Sequence, residues 1–170
     1  MRLAVLLVAL TQLGVCRSSS PTEPPPVSPE TNANPTGGSR FDHPAVVLHP
    51  QTGPERVVHV EVARTPAVRE RGLMYRRDMA EDHGMIFVFP QAEHNVFWMH
   101  NTYLPLDMIF IREDRTILGI VKNATPETDS SREVPGVSKW VLEVNGGYSD
   151  RHHLTAGDRV EMFNVGPAYE

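Results

Sequence analysis

Beyond residue 40, the apolar residues of this chain come in short bursts, and turn signals separate them. This pattern limits the fold more than any other feature. A helix buried on one face needs apolar positions three and four apart over roughly ten residues, whereas a strand needs only a short run with a period of two. Val57-Val58-His59-Val60-Glu61-Val62 alternates apolar and polar after its first residue, as a half-buried strand does. Met85 to Phe89 is apolar on both faces and stops at Pro90; Val96 to Met99 is a second such run, and Leu106 to Ile111 a third, broken only by Asp107. Ile117 to Val121, Trp140 to Val144 and Arg159 to Val165 complete the set. Asp82-His83-Gly84, Asn101-Thr102, Glu113-Asp114, Asn145-Gly146-Gly147 and Ala156-Gly157-Asp158 supply the turns. The expectation is a mainly β protein, a compact β-sandwich or barrel-like single domain with one or two short helices. One helix is marked by Thr65 as N-cap, Pro66 at the first position and Gly72 as C-cap. A second helical turn is expected over Arg77 to Glu81.

Residues 1–40 read differently. Met1-Arg2 followed by the apolar run Leu3 to Leu10 has the form of an export signal, too short to span a bilayer. Leu13-Gly14-Val15-Cys16 resembles a bacterial lipobox, with Val15 departing from the small residue usual before the cysteine. Lipidation at Cys16 and ordinary cleavage near Ser18-Ser19-Ser20 both remain open. Six of the 15 prolines fall between Pro21 and Pro35, among Ser, Thr, Asn and Glu. Such a segment buries too little apolar surface to offset its ordering entropy, so 17–40 is expected to be a semi-extended, disordered tether. The organisation is thus an export signal over 1–16, a tether over 17–40 and a β-rich domain over 41–170. An extracytoplasmic location follows, periplasmic or at the cell surface, with a membrane contact only through lipid on Cys16.

Composition removes several classes. The 170 residues leave room for one domain and an appendage. The net charge is −5, and residues 1–40 hold three arginines against two glutamates, a net of +1, so the domain is net negative. A nucleic-acid partner is therefore not expected. Cys16 is the one cysteine, which excludes an intramolecular disulfide and any Cys₄ or Cys₂His₂ zinc site. There is no Gly-x-Ser-x-Gly elbow, no phosphate-cradling loop and no dinucleotide fingerprint, so no cofactor is expected.

A series of motifs carries a resemblance. Arg71-Gly72-Leu73-Met74-Tyr75-Arg76 is followed by Gly84-Met85-Ile86-Phe87, then Phe97-Trp98-Met99-His100-Asn101-Thr102 and Pro105-Leu106-Asp107-Met108-Ile109-Phe110, with Leu142-Glu143 and Gly157-Asp158 behind. In this order and spacing they resemble the domain of unknown function 192 family, over residues 57–165. The resemblance implies a compact β-sandwich or barrel-like domain, often exported in bacteria, and no settled reaction. His100 stands where the family pattern usually has lysine.

The candidate ligand-binding residues are Arg71, Trp98, His100, Asn101, Tyr103, Asp107 and Glu143. Asp107 is a carboxylate inside an apolar strand, costly to bury without partners. It either holds a ligand or accepts backbone N–H groups from the Asn101-Thr102 turn, or pairs with Arg71. Glu143 faces away from Leu142 and Val144, towards solvent or towards Asp107 across a cleft, where two carboxylates serve acid–base chemistry. Met99 with His100 offers thioether and imidazole to copper only if the strand ends there. His83, His94, His152 and His153 show no ligand spacing, so no metal site is assigned. His100, unlike a lysine there, would hold an anion only when its imidazole is protonated, so binding at that position would depend on pH. Aromatic faces with Asn101 and Asp107 suit a sugar, but Phe97 and Trp98 are expected to fill the core on alternate faces, leaving Tyr103 as the exposed ring.

Two function classes stand. The first is a non-catalytic, envelope-tethered module that binds a small ligand, a glycan or an envelope protein, or acts as an accessory. The second is a small hydrolase-like or metal-dependent enzyme using Asp107, Glu143 and His100. The two differ in whether those groups meet in one open cleft.

Overall fold

The computed structural model describes residues 39–169. The export segment 1–16, Cys16 and the tether up to residue 38 lie outside the described residues. Seven strands are present: β1 (Ala45–His49), β2 (Arg56–Ala63), β3 (His83–Glu93), β4 (Leu106–Ile111), β5 (Ile117–Ala124), β6 (Ser138–Asn145) and β7 (Arg159–Phe163). Helix α1 (Pro66–Arg71) lies between β2 and β3, and α2 (Tyr148–Arg151) between β6 and β7. The protein is mainly β, as the short apolar runs require.

All strands join one sheet in the order β5-β4-β6-β3-β2-β1-β7. Every neighbouring pair is antiparallel except β2–β3, which is parallel and connected through the α1 crossover. The sheet curls until its two edges touch at one end. There Thr116 bridges Arg159, Ile117 N–H donates to the Asp158 carbonyl and Val160 N–H to the Arg115 carbonyl, both at 2.9 Å. The result is a half-barrel.

The curl gives the sheet two buried faces. Inside it lie Val46, Leu48, Val58, Ile86, Ile109, Leu142 and Val144, closed by Tyr148 and Leu154. On the outer face Met85, Phe87, Met108, Phe110 and Val141 pack under Leu73 and Met99. Strands β3, β4 and β6 are therefore buried on both sides, which explains why their runs show no alternation.

The sequence signals for α1 hold in detail: Thr65 Oγ1 accepts from Val68 N–H, Pro66 opens the helix and Gly72 closes it at φ 48°. At Gly72 a Cβ would stand 3.2 Å from the Phe87 ring, so the helix end lies directly on the outer face of the sheet.

Three expectations are corrected. β1 has no counterpart among the expected strands; its Ala45 to Leu48 are fully buried and His49 is half-buried. Val96 to Met99 is not a strand; Phe97 makes only an isolated bridge to Arg132. The second helix is α2 and not 77–81, which is irregular and ends in a turn. Asn145 Nδ2 donates to the Met79 and Ala80 carbonyls, 3.0 Å each, and holds that segment against β6. Helix α2 instead forms where Asp107 receives the Gly147 and Ser149 N–H groups, a substitute for the side-chain cap that its N-cap glycine cannot provide.

Candidate functional site: a cleft over Glu143

The register of β6 decides what its two candidate neighbours can do. Glu143 pairs with Met85 on one side and Met108 on the other, so it projects onto the outer face. Asp107 pairs with Val144 and projects into the curl. The two carboxyls lie on opposite faces, and the paired-carboxylate expectation is corrected on this ground.

Asp107 is fully buried and structural in its contacts. Its Oδ1 accepts from Asn123 N–H at 2.7 Å and Gly147 N–H at 2.9 Å, and its Oδ2 from Ser149 N–H at 2.7 Å. Backbone donors do satisfy it, but from the end of β5 and the start of α2 rather than from the Asn101-Thr102 turn, and its hydrogen bonds do not include Arg71.

Glu143 is 4% exposed and lies at the base of a cleft of about 280 Å³. Leu73, Phe87, Phe89, Phe97 and Trp98 give the cleft apolar and aromatic walls; Asn95 and Thr102 add polar groups, and Arg69 and Arg71 stand on the α1 side. Burial alone pushes the Glu143 carboxyl up to about 8. Among the described residues it has neither an ion-pair nor a hydrogen-bond partner, so burial favours its neutral form, which both donates and accepts.

The walls are themselves held in place. The Phe97 ring packs edge-on against Phe87 and Phe110, at 5.0 and 6.0 Å between centroids. The Arg69 guanidinium lies 5.4 Å over Phe89 and donates to the Arg64 and Val88 carbonyls at 2.7 and 3.1 Å. Asn95 donates its amide to the Ser138 carbonyl and hydroxyl, 2.9 Å each, which leaves its Oδ1 for a ligand. Arg71 is exposed at the rim.

Of the sequence candidates, Arg71, Trp98 and Glu143 meet in this cleft and the others do not. His100 is exposed and paired with Asp129, Nδ1 to Oδ1 at 2.8 Å, with its ring 5.3 Å from Trp98. Asn101 donates to the Tyr75 hydroxyl at 2.9 Å and accepts from Tyr75 N–H at 2.8 Å. Tyr103 is half-buried under Arg77, whose guanidinium lies 4.8 Å over its ring. The exposure expected of Tyr103 belongs instead to Trp98, at 51%. In the irregular segment after Asn95, Met99 takes the core position while Trp98 and His100 turn outward. Met99 and His100 therefore do not converge on an ion.

Phe89, Asn95 and Thr102 were not singled out from sequence. For Phe89 the signal was its place two residues after Phe87, which puts both rings on the face that Glu143 shares. Asn95 and Thr102 lie in irregular backbone and carry no periodic signal.

Relatives of known structure share this architecture. A crystal structure of a candidate transcription regulator from Sinorhizobium meliloti 1021 is 44% identical, matched over 70% of this chain and 92% of its own, with a TM-score of 0.68. A protein of unknown function from Novosphingobium aromaticivorans DSM 12444 is 38% identical over 69% of this chain and 83% of its own, with a TM-score of 0.67. No functionally curated protein matches. The model of the family DUF192, "Uncharacterized ACR", matches residues 47–162, and the chain belongs to that family.

Proposed function

We propose that this protein is a non-catalytic binding module whose cleft over Glu143 takes a small, neutral, hydroxylated ring compound of the sugar class. One observation carries the reading: a buried carboxyl without a charged partner, whose burial favours the neutral form, lining an aromatic cleft. A neutral acid complements a hydroxyl better than it complements an ion, since it supplies one donor and one acceptor without paying to bury a charge. Trp98 and Phe97 offer ring faces for stacking, and Asn95 Oδ1 adds an acceptor. The volume lies near the lower limit for ligand cavities and suits a single ring.

The enzyme reading is less well supported. Acid–base catalysis asks for a second group within reach of the reacting atoms. Asp107 is on the other face of the sheet, and His100 is turned outward onto Asp129. The regulator description of the S. meliloti relative also transfers poorly. The domain here carries a net negative charge, which opposes a phosphate backbone.

The test is a thermal-shift and tryptophan-fluorescence screen of the full chain against neutral sugars, amino sugars and sugar acids. A bound ligand at 100 times its Kd stabilises by about 2.7 kcal/mol. The expected hit is a neutral sugar whose binding survives Glu143→Gln at pH 7 and is lost in Glu143→Leu and Trp98→Ala. Absence of any hit, or a hit indifferent to both of the latter changes, would overturn the proposal.

We further propose that the module is exported and held at an extracytoplasmic surface through Cys16 and the proline-rich tether. The charged start, the apolar run and the lipobox-like Leu13 to Cys16 support this. Mass spectrometry of the mature protein should find a diacylglyceryl-modified Cys16 at its N-terminus. A mature chain starting beyond Cys16 would refute the anchor.

A further inference from the structure

We propose that His43, His59 and His83 form a surface site for a divalent late-transition-metal ion, on the half-barrel away from the Glu143 cleft. Strand register builds it. Ala45 on β1 pairs with His59 on β2, and His59 pairs with His83 on β3. His59 and His83 thus share the outer face of β2 and β3, and His43, in the bend just before β1, packs its ring against His59 at 4.7 Å between centroids. His43 Nε2 and His59 Nδ1 face each other at 2.6 Å, and the His59 and His83 ring centroids are 5.4 Å apart. The three rings line one shallow depression with Glu61.

Carboxylates orient the outer two rings. Asp42 Oδ1 lies 2.5 Å from His43 Nδ1, and Asp82 Oδ1 lies 2.8 Å from His83 Nδ1. Each contact fixes the tautomer that leaves Nε2 unprotonated, the arrangement that typically supports a metal-binding histidine from behind. Asp82 also approaches His59 Nε2, at 3.9 Å. Asp42 and Asp82 thus place two carboxylates behind the ring cluster, an arrangement that suits a cation.

Among the described residues no three such side chains already converge on one point. Binding therefore involves a small adjustment. An incoming ion replaces the hydrogen bond between His43 Nε2 and His59 Nδ1, and His59 stays neutral by carrying its proton on Nε2, on the side of Asp82. At metal–nitrogen distances near 2.0 Å, two nitrogens cis on a square-planar ion part to about 2.8 Å, a small rotation that half-exposed rings can make. His83, with a 53% exposed side chain, swings its Nε2 in as the third ligand. Imidazole donors without thiolate favour Cu²⁺ over Ni²⁺ and Zn²⁺.

The experiment is titration of the full chain with Cu²⁺, followed by calorimetry and by electron paramagnetic resonance, whose nitrogen hyperfine pattern counts coordinated imidazoles. One site per chain with at least two imidazole nitrogens is expected. His59→Gln should weaken it at least tenfold, and His43→Gln should remove one nitrogen from the pattern. His94 and His100, each paired singly with a carboxylate elsewhere, are the controls, and changing both to Gln should leave the site intact. No site showing imidazole nitrogens, or one that keeps its affinity and hyperfine pattern in His59→Gln, would overturn the proposal. Unchanged melting temperatures of the metal-free variants will separate loss of ligands from loss of fold.

Discussion

Asp107 and Glu143 sit on adjacent antiparallel strands one register step apart, and their carboxyls leave the sheet on opposite faces. Both are buried acids, yet their surroundings divide them. Asp107 receives three backbone N–H groups, one from the end of β5 and two from the start of α2. Glu143 has burial alone, and its carboxyl is pushed up to about 8. The first acid organises the fold; the second is left available to a ligand.

Replacing Asp107 by Ala should destabilise the domain severely. Three buried N–H donors, on Asn123, Gly147 and Ser149, would lose their acceptor together. At about 1 kcal/mol or more for each stranded donor, the loss is at least ~3 kcal/mol. A fall in Tm of roughly 10 °C is expected for a domain of this size. Asp107→Asn keeps one acceptor oxygen and should fall in between. A Tm within one or two degrees of the parent in the Ala variant would show that water or another group replaces the carboxylate.

The sequence made the strands legible where burial differs between faces, as in Val57 to Val62, or where a closing signal was sharp, as at Pro90. It also showed α1, because Thr65, Pro66 and Gly72 mark both ends of the helix. It hid β1, since Ala45 to Leu48 is too short and too uniformly apolar to reveal a period. The candidate site was half legible. An acid between Leu142 and Val144 could be picked out, but its partners could not, because register is a long-range property. Whether Glu143 meets Asp107 or the Phe87 and Phe97 rings depends on how β6 aligns with β3 and β4, which lie far from it in the chain.

Gly84 tests that alignment directly. It pairs with Val144, and a Cβ added to it would stand 2.4 Å from the Glu143 backbone carbonyl. Backbone cannot yield as a flexible side chain does, so Gly84→Ala must push β3 and β6 apart. A loss of roughly 3 kcal/mol in urea unfolding is expected, at the upper end of overpacking costs. Weaker binding in the cleft should accompany it, because the displaced strand carries Glu143. A variant as stable as the parent would mean that the two strands separate more easily than their close approach implies.

The protonation of Glu143 can be read from stability alone, without any ligand. Burial raises its carboxyl from the ordinary 4.5 to about 8. Between those two values the folded protein holds a proton that the unfolded chain has released, so stability falls as pH rises through this window and levels off above it. Below the window both states are protonated and the group costs nothing. The full effect is at most about 5 kcal/mol, the free-energy equivalent of the shift. Glu143→Gln keeps the shape and cannot ionise, so its advantage over the parent should be small near pH 4 and grow steadily to pH 8. Urea unfolding of both proteins at several pH values measures this difference, and titrations common to both cancel from it. A gap that does not change with pH would mean that Glu143 is ionised in the folded protein, and the cleft would then suit a cationic ligand rather than a neutral sugar.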